Sequence, residues 1–279
     1  MGRLRRRKIT NAVMFALTML STVAVIGVLF YILGYLFWNG GRYLNWQFFT
    51  NLPAPVGEAG GGMANAILGS GKLLLLAMCF GVPIGLLGGI YLAEFGGRVF
   101  PFVIRYVTDL LNGVPSIIIG LFAYTVVVLR DRHFSAWAGG FALGIMMIPI
   151  ALRSTEEFLR QVPRNLREAS LALGATRAQM VLTAVVPAAV RGIVAGIMLD
   201  LARVAGETAP LLFTAFNNRF WSSGLDKPTA SLPVMIFTYA IGPYEDWHRQ
   251  AWAAGFVLLA MVFLFNVSAR LLTFRQHAR

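Results

Sequence analysis

The sequence predicts an all-α polytopic membrane protein, built as a bundle of six transmembrane helices. Of its 279 residues, 57% are hydrophobic and only 13% are charged, whereas soluble domains carry roughly 25% charged residues. The apolar residues form long runs, each near the ~20 residues that a helix needs to cross a bilayer. These runs lack the alternating pattern of a membrane β-barrel. Backbone groups in lipid must be satisfied internally, so we expect helices.

Six apolar runs qualify as spans, of which the fourth is short and the third contains Pro115. We expect residues 1–64 to hold a basic tail, the first helix and an outer loop, and residues 65–273 to form one bundle. A second outer segment, 215–250, contains an apolar stretch too short to span, and aromatic residues that suit a membrane interface. The predicted spans are 13–38, 66–92, 102–128, 138–153, 188–214 and 251–272.

The distribution of lysine and arginine predicts the orientation. With the N-terminus inside, the cytoplasmic segments hold sixteen of the 24 basic residues and the outer segments hold seven, with Arg203 left inside a span. This excess follows the positive-inside rule, so we expect a multi-pass membrane protein with both termini cytoplasmic. The net charge of +12 therefore requires no nucleic acid. It lies where anionic lipid and a cytoplasmic partner would be.

No catalytic constellation is evident. Residues 69–72 read Gly-Ser-Gly-Lys, but a phosphate-binding P-loop needs glycine and Ser/Thr where Ala66 and Leu73 stand. We interpret this segment as a glycine-rich helix start. The three histidines lack metal-ligand spacing, and the single cysteine, Cys79, excludes an intrachain disulfide. We therefore expect no catalytic residue, metal or cofactor on this chain, and an energy source in a partner.

The fifth span contains three charged residues, Asp200, Arg203 and Glu207. Spacings of three and four place them on one helical face, and charges at bilayer depth are candidates for function. Pro210 frees the carbonyl of Gly206, near Glu207 and Thr208, which predicts irregular backbone beside protein or a water-filled path. Alternatively, the three charges only neutralise one another within the bundle.

The third span carries a polar face of its own. Asp109, Asn112 and Ser116 share that face by the same spacing. These side chains either form hydrogen bonds across helices or line the same path as the charges of the fifth span.

The polar stretch 153–187 resembles the cytoplasmic coupling loop of ABC-importer permeases. Glu168, Ala169, Gly174 and Pro187 lie in register with the Glu-Ala-Ala pattern of that loop. The resemblance implies a permease fold of the MetI-like type and a contact with an ATPase. We expect a short helix from about Arg164 to Leu173, with Arg164, Arg167 and Glu168 making polar contacts in a groove of the ATPase, Ala169 packing closely, and Gly174 allowing a turn.

Four further segments make the resemblance more specific, because they are similar to the phosphate-importer permeases of the PstA family. In that family the intramembrane arginine and glutamate are implicated in transport, and they correspond to Arg203 and Glu207; Asp200 is not part of the pattern. The segments are Ala202–Phe213, Gly61–Ala66, Gly89–Glu94 and Val114–Ile117.

The resemblance implies a heteromeric importer of inorganic phosphate in the bacterial plasma membrane. Its partners would be a second, PstC-like permease, a PstB-like ATPase homodimer that binds ATP and magnesium, and a PstS-like extracytoplasmic phosphate-binding protein. We expect Arg203 to attract phosphate, and Glu207 to orient Arg203 or to accept a hydrogen bond from protonated phosphate.

Other functions remain open at this point. The loop fits a permease for another oxyanion or an organic anion equally well. A membrane-embedded enzyme would need a catalytic set, and an ATP-independent channel would not need the coupling loop. A chain that mainly relays phosphate status to a sensor kinase is a further alternative.

Overall fold

The computed structural model describes residues 2–58, 60–97 and 99–275, with side chains described as far as Leu271. Two of the arginines counted above as cytoplasmic, Arg98 and Arg279, lie outside the described residues. The helices of the described residues, in chain order, are α1 (Gly2–Arg42), α2 (Trp46–Thr50), α3 (Ala64–Phe95), α4 (Val99–Gly113), α5 (Ser116–Asp131), α6 (Ala136–Gln161), α7 (Arg164–Ala172), α8 (Arg177–Val204), α9 (Ala209–Thr214), α10 (Leu232–Ala240) and α11 (Glu245–Arg275).

Five of these helices, α1, α3, α6, α8 and α11, are long and apolar enough to cross a membrane. The predicted third span differs from expectation: α4 and α5 meet at an angle of 101° instead of forming one continuous helix. Pro115 explains the break, because proline has no N–H to donate and disfavours helical geometry in the residue before it. The sequence prediction of one helix over 102–128 is corrected accordingly.

The fourth and fifth predicted spans also have different boundaries. Helix α6 runs eight residues beyond the predicted end, through the charged residues to Gln161, and stops before Pro163. The helix over the predicted 188–214 is interrupted after Val204 and resumes at Ala209. The stretch 153–187 is therefore largely helical, comprising the end of α6, all of α7 and the beginning of α8.

Helices α3 and α6 form the tightest pair in the bundle. Gly81, Gly85 and Gly89 line the face of α3 that meets α6. A Cβ at Gly85 would lie 2.5 Å from the Cβ of Ala151, and one at Gly89 would lie 2.6 Å from the Cβ of Thr155. Small residues allow this close approach of two membrane helices, and the two helices consequently form one closely packed unit.

The segment 215–250, predicted to lie outside, packs onto the beginning of α3 at the glycine-rich sequence 69–72. A Cβ at Gly69 would lie 2.0 Å from the carbonyl oxygen of Ala230. The Ser70 hydroxyl accepts a hydrogen bond from the backbone N–H of Leu232 at 2.8 Å. Lys72 Nζ donates to the carbonyls of Ser222 and Gly224. This Gly-Ser-Gly-Lys sequence thus has a structural use that needs no nucleotide.

The short apolar stretch predicted at 232–241 forms α10, which packs against α11. Its Tyr239 is 2% exposed and stacks on Trp247, which is 8% exposed, with ring centroids 4.6 Å apart. These two aromatic residues belong to the core, so the expectation that they face a membrane interface is wrong. Trp221 of the same segment is 50% exposed.

Candidate translocation site and coupling surface

The break between α8 and α9 forms a short irregular segment in the bundle. The N–H of Gly206 donates to the carbonyl of Arg203, and the N–H of Glu207 donates to the carbonyl of Val204. The carbonyl of Thr208 then accepts hydrogen bonds from the first turn of α9. Pro210 lies in that first turn, where its missing N–H costs nothing. Several backbone groups of the break are therefore satisfied locally, which lowers the cost of irregular backbone within a membrane protein.

The three charges of this region differ in exposure, and Glu207 lies beyond the end of the helix that carries Asp200 and Arg203. Arg203 is exposed, Glu207 is half-buried, and Asp200 is only 1% exposed. Among the described residues, the Arg203 side chain forms no hydrogen bond and no ion pair within 4.0 Å. Both carboxylate oxygens of Asp200 are buried without a hydrogen-bond partner in the same part of the chain. Asp200 thus faces the interior of the bundle, and it forms no ion pair with Arg203 within 4.0 Å although both lie on α8.

The predicted polar face of the third span is divided by the bend at Pro115. Asn112 is exposed near the end of α4, whereas Ser116 is half-buried at the start of α5. Helical spacing holds only within one continuous helix, so these two residues do not share a helix face. Asp109 instead pairs with Arg153 of α6, with Nη2 2.6 Å from Oδ1.

Sequence reasoning missed an arginine cluster beside this pair. Glu156 of α6 is 2% exposed and accepts hydrogen bonds or ion pairs from three arginines. The distances are 2.7 Å to Arg105, 2.9 Å to Arg160 and 3.8 Å to Arg153. If residues 153–160 had been predicted as helical, this cluster would have been expected, because Arg153, Glu156 and Arg160 are spaced by three and four residues. The cluster joins α4 to α6.

The predicted coupling helix is present as α7, Arg164–Ala172. Its Arg164, Glu168 and Ala169 are exposed. Leu173, which follows the helix, is 90% exposed, although such an apolar side chain would ordinarily be covered. Gly174 has φ +87°, the left-handed geometry that ends many helices and favours glycine. Contact of this surface with an ATPase stays a prediction.

Two residues predicted for that contact are placed differently. The Arg167 side chain turns inward, where it forms an ion pair with Glu94 at the end of α3 and donates to backbone carbonyls of α6. Pro187 lies inside α8, about 15 Å along the helix from its start at Arg177. A buried ion pair satisfies Arg167 within the chain, so the exposed surface of α7 is carried by its other residues.

Comparison with known proteins assigns the family. Residues 85–278 match the family described as "Binding-protein-dependent transport system inner membrane component". A "Phosphate transport system permease protein PstA" from Yersinia pestis is 44% identical over 269 residues, covering 96% of this chain and 90% of the relative. This chain belongs to the PstA family of permeases. A PstA protein of Haemophilus influenzae is 42% identical, covering 98% and 96% of the two chains, and one of Mycobacterium leprae is 34% identical, covering 97% and 92%.

Solved structures agree on the fold of this PstA-family chain. An inward-facing structure of the MetNI methionine ABC transporter superimposes with a TM-score of 0.61 at 20% identity, covering 76% of this chain and 96% of that one. An amino acid ABC transporter crystallised with histidines gives 0.52 at 18% identity, covering 78% and 92%. The predicted fold, an all-helical ABC-importer permease bundle, is confirmed.

Proposed function

We propose that this chain is the transmembrane permease subunit of an ATP-driven inorganic phosphate importer and forms half of its translocation path. The observation that carries the proposal is the exposed Arg203 side chain, located at an interrupted membrane helix and free of an ion pair among the described residues. The similarity to PstA proteins over nearly the full chain supports phosphate as the anion.

Arg203 attracts an anion that has lost much of its hydration. A guanidinium is costly in lipid unless it is paired or faces water, so its exposed face belongs to a path or to a partner subunit and not to lipid. Its planar fork of donors matches the oxygen atoms of a phosphate better than the point charge of lysine does. A carboxylate held permanently against Arg203 would compete with the substrate, and none of the described carboxylates lies within ion-pair distance.

Glu207, half-buried one turn beyond Arg203, supplies selectivity. Its carboxylate accepts a hydrogen bond from a protonated phosphate oxygen, whereas sulfate carries no proton near neutral pH. A carboxylate only accepts hydrogen bonds when ionised, so an unprotonated oxyanion is repelled. Thr208, at the start of α9, adds a hydroxyl to the same stretch, and Asn112 and Ser116 border the path from the two sides of the bend at Pro115.

We expect the partners on surfaces that remain exposed. A second, PstC-like permease covers the exposed apolar residues of α4 and α5, where Val103, Ile118 and Phe122 are about half exposed. The PstB-like ATPase homodimer, which binds ATP and magnesium, binds α7 and Leu173 in a surface groove. A PstS-like phosphate-binding protein docks on the outer segments. Both termini, α7 and the arginine cluster around Glu156 lie on the cytoplasmic side.

The experiment measures phosphate transport by the whole complex in proteoliposomes. Labelled phosphate is supplied on the side of the phosphate-binding protein, and ATP on the side of the ATPase. Sulfate is added as a competitor. We expect ATP-dependent phosphate uptake that sulfate inhibits poorly, and we expect Glu207→Gln to let sulfate compete, because an amide also donates hydrogen bonds. Glu58→Gln makes the same substitution at an exposed outer position and should leave selectivity unchanged. Equal uptake of sulfate by the wild-type complex would favour a general oxyanion permease.

A further inference from the structure

Arg167 connects three elements on the cytoplasmic side. From α7, its Nη2 lies 2.7 Å from Glu94 Oε1 and its Nε donates to both carboxylate oxygens. The same guanidinium donates to the carbonyl of Leu159 at 2.7 Å and to the carbonyl of Val162. Glu94 ends α3, and the two carbonyls belong to the last turn of α6 and the residue after it. One side chain thus joins α7 to both members of the closely packed α3–α6 pair.

Both charged groups are withdrawn from water. The side chain of Arg167 is 19% exposed and that of Glu94 is 6% exposed. When one partner of a buried ion pair is removed, the other charge stays buried without compensation, so breaking such a pair is strongly destabilising. By comparison, the surface pair between Arg153 and Asp109 is 30% and 57% exposed. The buried pair with its two extra hydrogen bonds therefore forms a more rigid attachment than an ordinary surface ion pair.

The attachment is placed where the chain would otherwise bend. Helices α6 and α7 are joined only by Val162 and Pro163, both in extended geometry. Besides Arg167, α7 packs against the first turns of α8, so loss of Arg167 would leave α7 without its ion pair to α3 and its hydrogen bonds to the end of α6. On its other side α7 is followed by Gly174 in left-handed geometry. A short helix flanked by two turns transmits a displacement only if a further contact fixes it to the bundle.

We propose that the Arg167–Glu94 ion pair is the rigid attachment that makes α7, α3 and α6 move as one body during transport. The inference rests on the proposed function, in which the ATPase displaces α7. Displacement then passes directly into α3, whose outer end holds the outer segment through Ser70 and Lys72. Arg167 and Glu94 act as positioning residues: they touch neither ATP nor phosphate, and they set how many ATP molecules each transported phosphate requires.

The first test measures ATP hydrolysed per phosphate transported by the reconstituted complex. Arg167→Gln and Glu94→Gln should each raise this ratio about tenfold, within the 5–150-fold range of coupling between linked sites, with ATPase activity retained. Arg167→Lys, which keeps the charge but loses the fork, should recover part of the coupling. Arg177→Gln removes an exposed arginine from the same cytoplasmic surface and should leave the ratio unchanged. A loss of transport and hydrolysis in equal proportion would overturn the proposal.

A second test restores the attachment covalently. Glu94→Cys and Arg167→Cys are combined in a Cys79→Ala background, and the two thiols are joined by a bifunctional reagent as long as the two lost side chains. Before crosslinking, this variant should hydrolyse more ATP per phosphate transported than Cys79→Ala does. After crosslinking, its ratio of ATP hydrolysed to phosphate transported should return to near that of Cys79→Ala. Transport that stays lost after crosslinking would show that α7 must move against α3, which contradicts the proposal. Absence of phosphate uptake by the wild-type complex would instead contradict the proposed function. The attachment would then be tested by the same ratio, with the anion that the complex does transport in place of phosphate.

Discussion

Gly120 of α5 lies directly against Pro210 of α9, so closely that a Cβ at Gly120 would be 2.5 Å from the Cα of Pro210. Each residue follows a break in a membrane helix, the first at Pro115 and the second between Val204 and Ala209. The two interrupted spans, α4–α5 and α8–α9, therefore contact each other just after the irregular segment that follows Val204. The contact with backbone atoms fixes α9, and with it the position of the break.

We expect Gly120→Val to displace α9 and to disturb the site without removing the protein from the membrane. Overpacking of this kind typically costs about 1–3 kcal/mol, and the local clash should lower phosphate uptake more than it lowers the amount of inserted protein. Gly34→Val in α1 is the matched control, because a Cβ there meets no atom within 4 Å. Uptake and membrane abundance measured together test this, and unchanged uptake in Gly120→Val would show that the contact does not hold the site.

Gly174 should be sensitive to substitution for a reason of backbone geometry alone. Its φ is +87°, and a Cβ there would meet nothing within 4 Å, so any penalty comes from the left-handed conformation, at roughly 1–2 kcal/mol for most residues. We expect Gly174→Trp to uncouple ATP hydrolysis from uptake, and Gly174→Asn to be milder because asparagine adopts this conformation more readily. Undiminished uptake in Gly174→Trp would contradict the assigned role of the turn.

The orientation of the chain is open to thiol labelling in a Cys79→Ala background. Asn51→Cys and Ser223→Cys, both at exposed positions of outer segments, should react with an impermeant reagent added to intact cells. Ala172→Cys at the exposed end of α7 is the control and should react only after the membrane is disrupted. The reverse pattern would invert the topology.

Composition and the lengths of the apolar runs were sufficient to predict the helical bundle and the six apolar segments, and the resemblance of the polar stretch to a known loop predicted the coupling helix. These features depend on properties summed over many residues or on a local pattern, such as the one around Glu168 and Gly174. The breaks were only partly predictable. Pro210 indicated irregular backbone near Glu207, but Pro115 was not recognised as a 101° bend, because the surrounding apolar run is continuous.

The side-chain partners were the least predictable part. Helical spacing placed Asp200 and Arg203 together, yet the core buries Asp200 and leaves Arg203 exposed. Arg167 was assigned to a partner protein because it precedes Glu168 in a surface pattern. Its actual partner, Glu94, is distant in sequence and comes close only through the packing of α3 on α6.

Arg203→Ala tests the central claim most directly. The measurement is ATP-dependent uptake of labelled phosphate by the complete complex in proteoliposomes, normalised to the amount of inserted protein, with Arg42→Ala at the exposed outer end of α1 as the control. We expect uptake to be abolished in Arg203→Ala, to be partly retained in Arg203→Lys, which keeps the charge but not the planar fork, and to be unchanged in Arg42→Ala. Wild-type uptake by Arg203→Ala would contradict the account and would leave Arg203 without a role in transport.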